Sequence, residues 1–237
     1  CRDAKSYDTS ATYAPKLHIE YSTWLSGYGY RQKIPLKRTS GAVTDYQMKL
    51  TVNKTTGSSS GSTVYLKNHA LSWTGTVPND IRFTKSDKVT LLDYWIESSD
   101  ANTATVWVEF DSIGTTDTDF YVYYGKSGDT TTSDGDDTFL IHDHFPGSSI
   151  DTTKWGGETA NFSVGSSLLT CSASSKRIWS VLAGTTALAD IVVEALVKLD
   201  TGARANISGR RNAQDYTTGD GYDINYRYPN DDLRLRK

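Results

Sequence analysis

Methionine occurs once, proline five times, cysteine twice and histidine four times in this chain of 237 residues. Stretches of Leu, Ala, Glu and Lys with a 3.6-residue period are nearly absent, which removes the signature of amphipathic helices. No run approaches the roughly 18 apolar residues of a membrane-spanning helix. The formal net charge of −3 is too small to imply a strongly acidic or basic partner. No basic stripe marks a nucleic-acid surface, and the local positive cluster of Arg234, Arg236 and Lys237 reads as a solvated strand edge. Cys1 and Cys171 leave three states open: paired together, paired outside the chain, or unpaired. They do not fix the redox compartment.

Thr, Ser, Gly and Tyr are abundant instead, and 37% of the residues are hydrophobic. That is enough for a core and for more than one small domain. Thr, Val and Tyr suit a pleated, half-buried surface. The fold class expected is all-β, built of tandem antiparallel β-sandwich (jelly-roll-like) modules. The sequons at Asn53, Asn161 and Asn206 are acceptors only on a glycosylating pathway. The chain opens on Cys1 and stops on Lys237 in mid-pattern, so it reads as a piece of a longer polypeptide.

Three stretches are distinguished. In residues 1–23, Leu17, Ile19 and Tyr21 alternate with Lys16, His18 and Glu20, as in the final strand of a preceding sandwich. Residues 24–137 carry strand patterns at 30–36, 46–52, 81–83, 91–96, 104–110 and 120–124, separated by turn signals. Val106, Val108 and Phe110 fall on one face, with Trp107 and Glu109 on the other. Thr56 to Ser62 is a Gly/Ser loop, and Asp129 to Asp137 reads as a polar linker. Residues 138–237 carry strand patterns near 140–145, 162–164, 167–171, 191–199, 203–209 and 222–227. The strand expected at Ile191 to Leu199 is apolar on much of both faces, as at a sandwich centre.

Two resemblances follow from specific runs. Gly29-Tyr30-Arg31-Gln32-Lys33-Ile34, Asn79 to Asp87, Leu91 to Glu97, Val106-Trp107-Val108 and Phe120 to Gly125 make residues 24–137 resemble the family of domain of unknown function 2341. The run from Asp143-His144-Phe145-Pro146-Gly147 to Lys154-Trp155 is similar to the opening of concanavalin-like lectin or laminin-G-type jelly rolls. Residues 138–237 then look like the N-terminal part of such a domain, which normally needs roughly twice this length. The resemblance implies a location, extracellular, on a cell surface or on a virion, rather than a chemistry.

The candidate sites are few. Trp73, set among Ser, Thr and Gly, is expected at the surface and is the first choice for a glycan platform, joined by Trp179 and Tyr222, since sugar faces stack on aromatic rings. Trp155 is expected to pack beneath its own loop. His142 and His144 share a face on a strand, but no third zinc ligand is evident. Asp143 is a candidate Ca²⁺ ligand, because Ca²⁺ takes oxygen donors. The run Asp129, Asp134, Asp136, Asp137 lacks the spacing of an EF-hand loop. A glycosidase needs two carboxylates across the scissile bond, whereas Asp190 and Glu194 have the wrong spacing for one.

No catalytic residue is therefore expected, and the first reading is a non-catalytic structural or adhesive protein of a cell surface, filament or virion fibre. Its partners are glycans or neighbouring protein subunits, with no nucleic acid and no membrane span. The alternative is the carbohydrate-binding accessory region of a secreted polysaccharide-degrading enzyme. A third reading is assembly into a homo-oligomer or filament through open strand edges.

Overall fold

The structure, a computed structural model, describes residues 24–37, 41–181, 191–199, 204–209, 222–227 and 232–236. The chain divides into two units, residues 1–140 and 141–237. The strand expected within residues 16–21, and Cys1, lie outside the described residues.

The first unit is a β-sandwich with ten strands among the described residues. They are β1 (Tyr30–Leu36), β2 (Val43–Asn53), β3 (Thr63–Tyr65), β4 (Trp73–Thr74), β5 (Val77–Pro78), β6 (Arg82–Thr84), β7 (Leu91–Leu92), β8 (Tyr94–Ser99), β9 (Thr103–Ile113) and β10 (Thr118–Tyr124). One sheet has the order β1-β10-β6-β7 and the other β3-β2-β9-β8, with β4 and β5 forming a small separate hairpin. Period-2 alternation aims Ile34, Phe83, Phe120 and Val122 of the first sheet at Leu50, Val52, Val106 and Val108 of the second, and all are buried. Burying each such side chain stabilises the fold by about 1.5–3 kcal/mol. Edge-to-face contacts between Phe83 and Tyr94 (5.5 Å) and between Phe110 and Phe120 (5.1 Å) join the sheets. As the alternation predicts, Trp107 and Glu109 lie on the opposite face of β9, half-exposed.

Residues 129–137 are not a linker. They form a strap tied along the sandwich. Arg82, in β6, has a buried guanidinium that donates to Thr130 O (2.6 Å), Ile81 O (2.6 Å) and Asn79 O (3.0 Å). It also pairs with Asp129 Oδ2 at 3.2 Å, the two side chains being only 9% and 11% exposed. The Tyr28 hydroxyl donates to the same carboxylate at 2.6 Å, and Lys126 Nζ lies 3.2 Å from its other oxygen. Further on, Ser133 Oγ accepts from Ile96 N, and Asp134 N donates to Tyr94 O. Asp134 then caps the short helix α1 (Gly135–Thr138), its carboxylate accepting from Asp136 N and Asp137 N, the usual way a helix start satisfies its free donors. Phe139 follows, edge-on to Trp95 (5.7 Å) and Trp107 (5.6 Å). The boundary expected at residue 137 therefore falls inside this helix. A polar run looks alike whether it is solvated or hydrogen-bonded to a surface, so composition alone does not separate the two.

The second unit contains β11 (Trp155–Gly157), β12 (Phe162–Gly165), β13 (Leu168–Cys171), β14 (Ile178–Ser180), β15 (Arg204–Gly209), β16 (Tyr222–Arg227) and β17 (Asp232–Arg236). The pairings are β11 with β14, β12 with β13, and the antiparallel set β15-β16-β17. Two expectations are corrected. Residues 140–145 form no strand but an irregular loop. Ile191 to Leu199 is unpaired, with Val192 86% and Leu196 103% exposed. An apolar pattern specifies a central strand only when strands pair on both its edges, and among the described residues none pairs with this segment.

The Arg82–Asp129 pair generates a prediction. Burial raises the Asp129 carboxyl, but Tyr28, Arg82 and Lys126 outweigh it and hold it below its ordinary range. A depressed carboxyl stabilises fully above its unfolded value of about 3.9 and loses that contribution as pH falls further. Asp129→Ala leaves Arg82 buried without its counter-charge. Urea unfolding at pH 7 is expected to show a loss of about 3–5 kcal/mol, with a weaker dependence on pH below 4 than in the parent. A loss under about 1 kcal/mol would mean that the pair behaves like an exposed one.

Candidate functional site

An open cleft of about 400 Å³ lies on the first unit, lined by Arg31, Gln32, Gly57, Ser58, Ser59, Lys67 and Tyr124. Its walls come from edges. β1 ends one sheet and β3 ends the other, so Gln32 of β1, the loop leading into β3 and Lys67 just beyond β3 share one margin of the sandwich. Gly57 allows the loop to lie flat on an aromatic ring, since a Cβ there meets Tyr65 Cδ1 at 2.4 Å. Ser59 Oγ accepts the Tyr65 amide at 2.9 Å, which leaves its own hydrogen to donate. Lys67 and Asn68 both adopt left-handed backbone, φ 52° and 62°, tied by Lys67 N to Thr55 O (3.0 Å) and Asn68 N to Lys54 O (2.6 Å). Such a conformation costs a non-glycine residue about 1–2 kcal/mol, and strain of this kind clusters at binding sites.

An aromatic stack backs the cleft. Tyr30 lies face to face with His69 (4.0 Å, 13°) and with Tyr124 (5.6 Å, 15°). Gly125, at φ 82°, makes the stack possible, because a Cβ there meets the Tyr30 ring at 2.5 Å. Asp80 fixes this corner: its Oδ2 accepts from Gly125 N (2.9 Å), Lys126 N (3.2 Å) and Leu71 N (2.7 Å). The cleft is thus lined by an amide, two hydroxyls, an ammonium and a guanidinium, with the buried Tyr124 ring behind them, and no carboxylate lines it. Gly57-Ser58-Ser59-Ser60-Gly61 spells the pattern of a nucleophile elbow, but here the loop joins strand to strand rather than strand to helix. No tryptophan lines the cleft, and the Gly/Ser loop at 56–62 is the signal of it that the sequence carries.

The residues singled out from sequence fall elsewhere. Trp73 is 2% exposed, and its Nε1 donates to Asp100 O at 3.0 Å. It is a core residue, because the small polar residues around it build the β4–β5 hairpin that turns the indole inward, and its donor finds a carbonyl there. Trp179 is half-buried in β14, with its ring against Gly156 and Gly157. Tyr222 lies in β16, but its side chain is outside the described residues. Asp143 accepts from Phe145 N (2.6 Å) and Trp155 Nε1 (2.7 Å), so both its oxygens are engaged and its role is to position the loop. Trp155 packs on Phe145 at 6.0 Å, beneath that loop as expected. The His142 and His144 rings are 5.5 Å apart. Among the described residues no three His, Cys, Asp or Glu side chains gather to hold a metal ion.

A second electrostatic feature lies at Asp93, between β7 and β8, and at Glu109 of β9. Burial, then Asp137, Asp111 and Asp134, push the Asp93 carboxyl above its ordinary range. Burial, then Asp93, Asp45, Asp111 and Asp137, do the same to Glu109. These carboxylates repel one another across the strap that carries Asp134 and Asp137.

This strap, the Arg82–Asp129 pair and the Asp80 corner all belong to one recognisable stretch. Residues 77–158 match the family of domain of unknown function (DUF2341). The DUF2341 match covers about a third of the chain. It begins later than the resemblance expected from residue 24 and runs past residue 137 to include the Asp143–Trp155 cluster. Of the residues lining the cleft, only Tyr124 lies within it. No curated protein and no solved structure matches the chain.

Two outcomes are expected. Gly57→Ala forces the Tyr65 ring off the loop and destabilises by about 1–3 kcal/mol in chemical denaturation, whereas an unchanged midpoint would show that the loop rebuilds freely. Asp93→Asn raises the denaturation midpoint near neutral pH. A raised carboxyl penalises folding only where it is ionised, so the gain fades as pH falls into the carboxyl range. The effect is a few tenths of a kcal/mol, about that of an exposed pair screened by solvent. A lower midpoint at pH 7 would refute the repulsion.

Proposed function

We propose that this chain is a non-catalytic, extracellular adhesive module whose first sandwich holds a saccharide in the cleft of Gln32, Ser58, Ser59, Lys67 and Tyr124. The observation that carries this reading is the cleft's chemistry. It is an open, donor-rich trough at a sheet margin, backed by the stacked rings of Tyr30 and Tyr124. Hydroxyl-rich ligands are recognised by such convergent polar groups beside an aromatic body. A cleft without a carboxylate supports binding over hydrolysis, because hydrolysis needs two of them flanking the bond. For the second unit the proposed reading is the opening of a concanavalin-like jelly roll, in residues that the DUF2341 match also reaches. Its support is that Asp143, Phe145 and Trp155, three residues of that opening, come together by hydrogen bond and ring contact.

The test is a glycan array probed with the full chain, followed by titration of the best hit. Gln32→Ala and Lys67→Ala are expected to weaken binding by about tenfold each, with unchanged circular dichroism. Trp73→Ala is expected to lower stability instead, since its ring is core. A flat array, or binding indifferent to both cleft variants, sinks the proposal.

A further inference from the structure

The outward face of the sheet β1-β10-β6-β7 carries a feature the cleft does not explain. In the β1–β10 pairing, Lys33 stands opposite Tyr121 and Arg31 opposite Tyr123. Tyr123 is fully buried although it is absent from the inter-sheet core. Trp24 and Tyr28 cover it edge-on, each at 5.8 Å. Its hydroxyl accepts from Arg31 Nη1 (3.0 Å) and donates to Lys88 O (2.8 Å). Two rings remain open beside it. Trp24 is 42% exposed and Tyr121 is half-exposed. Cations bracket them: Arg31 Cζ lies 4.5 Å from the Trp24 ring and 5.1 Å from Tyr121, and Lys88 Nζ lies 5.8 Å from Tyr121. Lys33 adds a third cation, and the carboxylate beside it is Asp119 at 3.3 Å. Lys88 sits at φ 72°, a left-handed conformation that lysine side chains do nothing to favour.

We propose that this face binds an anionic saccharide chain, carboxylated or sulfated, whose sugar faces lie on Trp24 and Tyr121 while its acidic groups meet Lys88, Lys33 and Arg31. The rings supply flat apolar surface for sugar C–H faces, and the cations supply the charge complement that a neutral sugar does not need. The whole chain carries a net charge of −3, so the pull on an acidic ligand comes from the local cations of this face rather than from a field of the whole chain. The platform is distinct from the cleft, and Arg31 alone touches both.

Binding of the full chain to polygalacturonate, dextran sulfate and neutral dextran, measured by affinity electrophoresis at low and high salt, tests this. The expected result is retardation by the two anionic polymers, reduced at high salt, and none by neutral dextran. Tyr121→Ala and Lys88→Gly are each expected to weaken retardation by about tenfold. Lys88→Gly relieves the backbone and removes only the charged arm, so it folds at least as well as the parent. Lys176→Gln, an equal charge change in the second unit, leaves retardation unchanged. Equal retardation by neutral dextran, preference for duplex DNA or anionic phosphatidylserine vesicles, or indifference to Lys88→Gly would each overturn the proposal.

Discussion

The buried Arg82 guanidinium is the constraint from which the first unit is assembled. A guanidinium cannot be deprotonated inside a protein, so its burial is tolerated only with a full set of acceptors. The chain provides them from three places: the turn just before β6 through Asn79 and Ile81, the strap through Asp129 and Thr130, and the Tyr94 hydroxyl of the second sheet at 3.3 Å. Local carbonyls, a strap 47 and 48 residues further on, and a side chain of the other sheet are thereby drawn to one point. Asp129 in turn takes the Tyr28 hydroxyl, which fixes the approach to β1 and with it the position of Trp24. Two residues before Arg82, Asp80 gathers the amides of Leu71, Gly125 and Lys126 and so sets the corner where Tyr124 and the Tyr30 ring meet. Both candidate surfaces therefore depend on charges that are themselves out of reach of any ligand.

How much of this is legible in the sequence depends on which signal each residue leaves. Strands leave the plainest one. The pattern at 30–36 matches β1 end to end, and β2, β9 and β10 extend their expected cores by one to three residues at an end. Period-2 alternation is a local property enforced by a buried face, so it survives in one dimension. Trp73 is the opposite case. Its neighbours resemble those of a surface residue, and only the hairpin that places its indole beneath Asp100 O shows otherwise. The strap is a third case, since Asp129 to Asp137 has a linker's composition while its long-range hydrogen bonds run to residues 37 to 101 positions away. A hint was available in Asn79 to Thr84, where a charged side chain alternates with Ile81 and Phe83 in a short strand. Such a charge demands a partner, but sequence does not say which acid supplies it.

The two proposed surfaces share a backbone oddity that bears on whether their lysines are ordinary solvated charges. Lys67 and Lys88 are both left-handed. The conformation alone proves little, since Ser166 and Ser167 adopt it too between β12 and β13, where a two-residue hairpin turn requires it at both positions. Serine, asparagine and aspartate recover part of the cost through local hydrogen bonds from their short side chains. Lysine has no such recovery, and glycine, used freely at Gly125 and Gly128, would avoid the strain altogether. Three further lysines of the first sandwich offer a contrast: Lys37, Lys49 and Lys85 stand in regular strand or coil and reach Asp117, Glu97 and Asp111. Those arms are accounted for by the ion pairs they make. The arms of Lys67 and Lys88 are held out by strained backbone toward a donor-rich cleft and an aromatic face, and a ligand carrying oxygen acceptors is the group whose chemistry answers both.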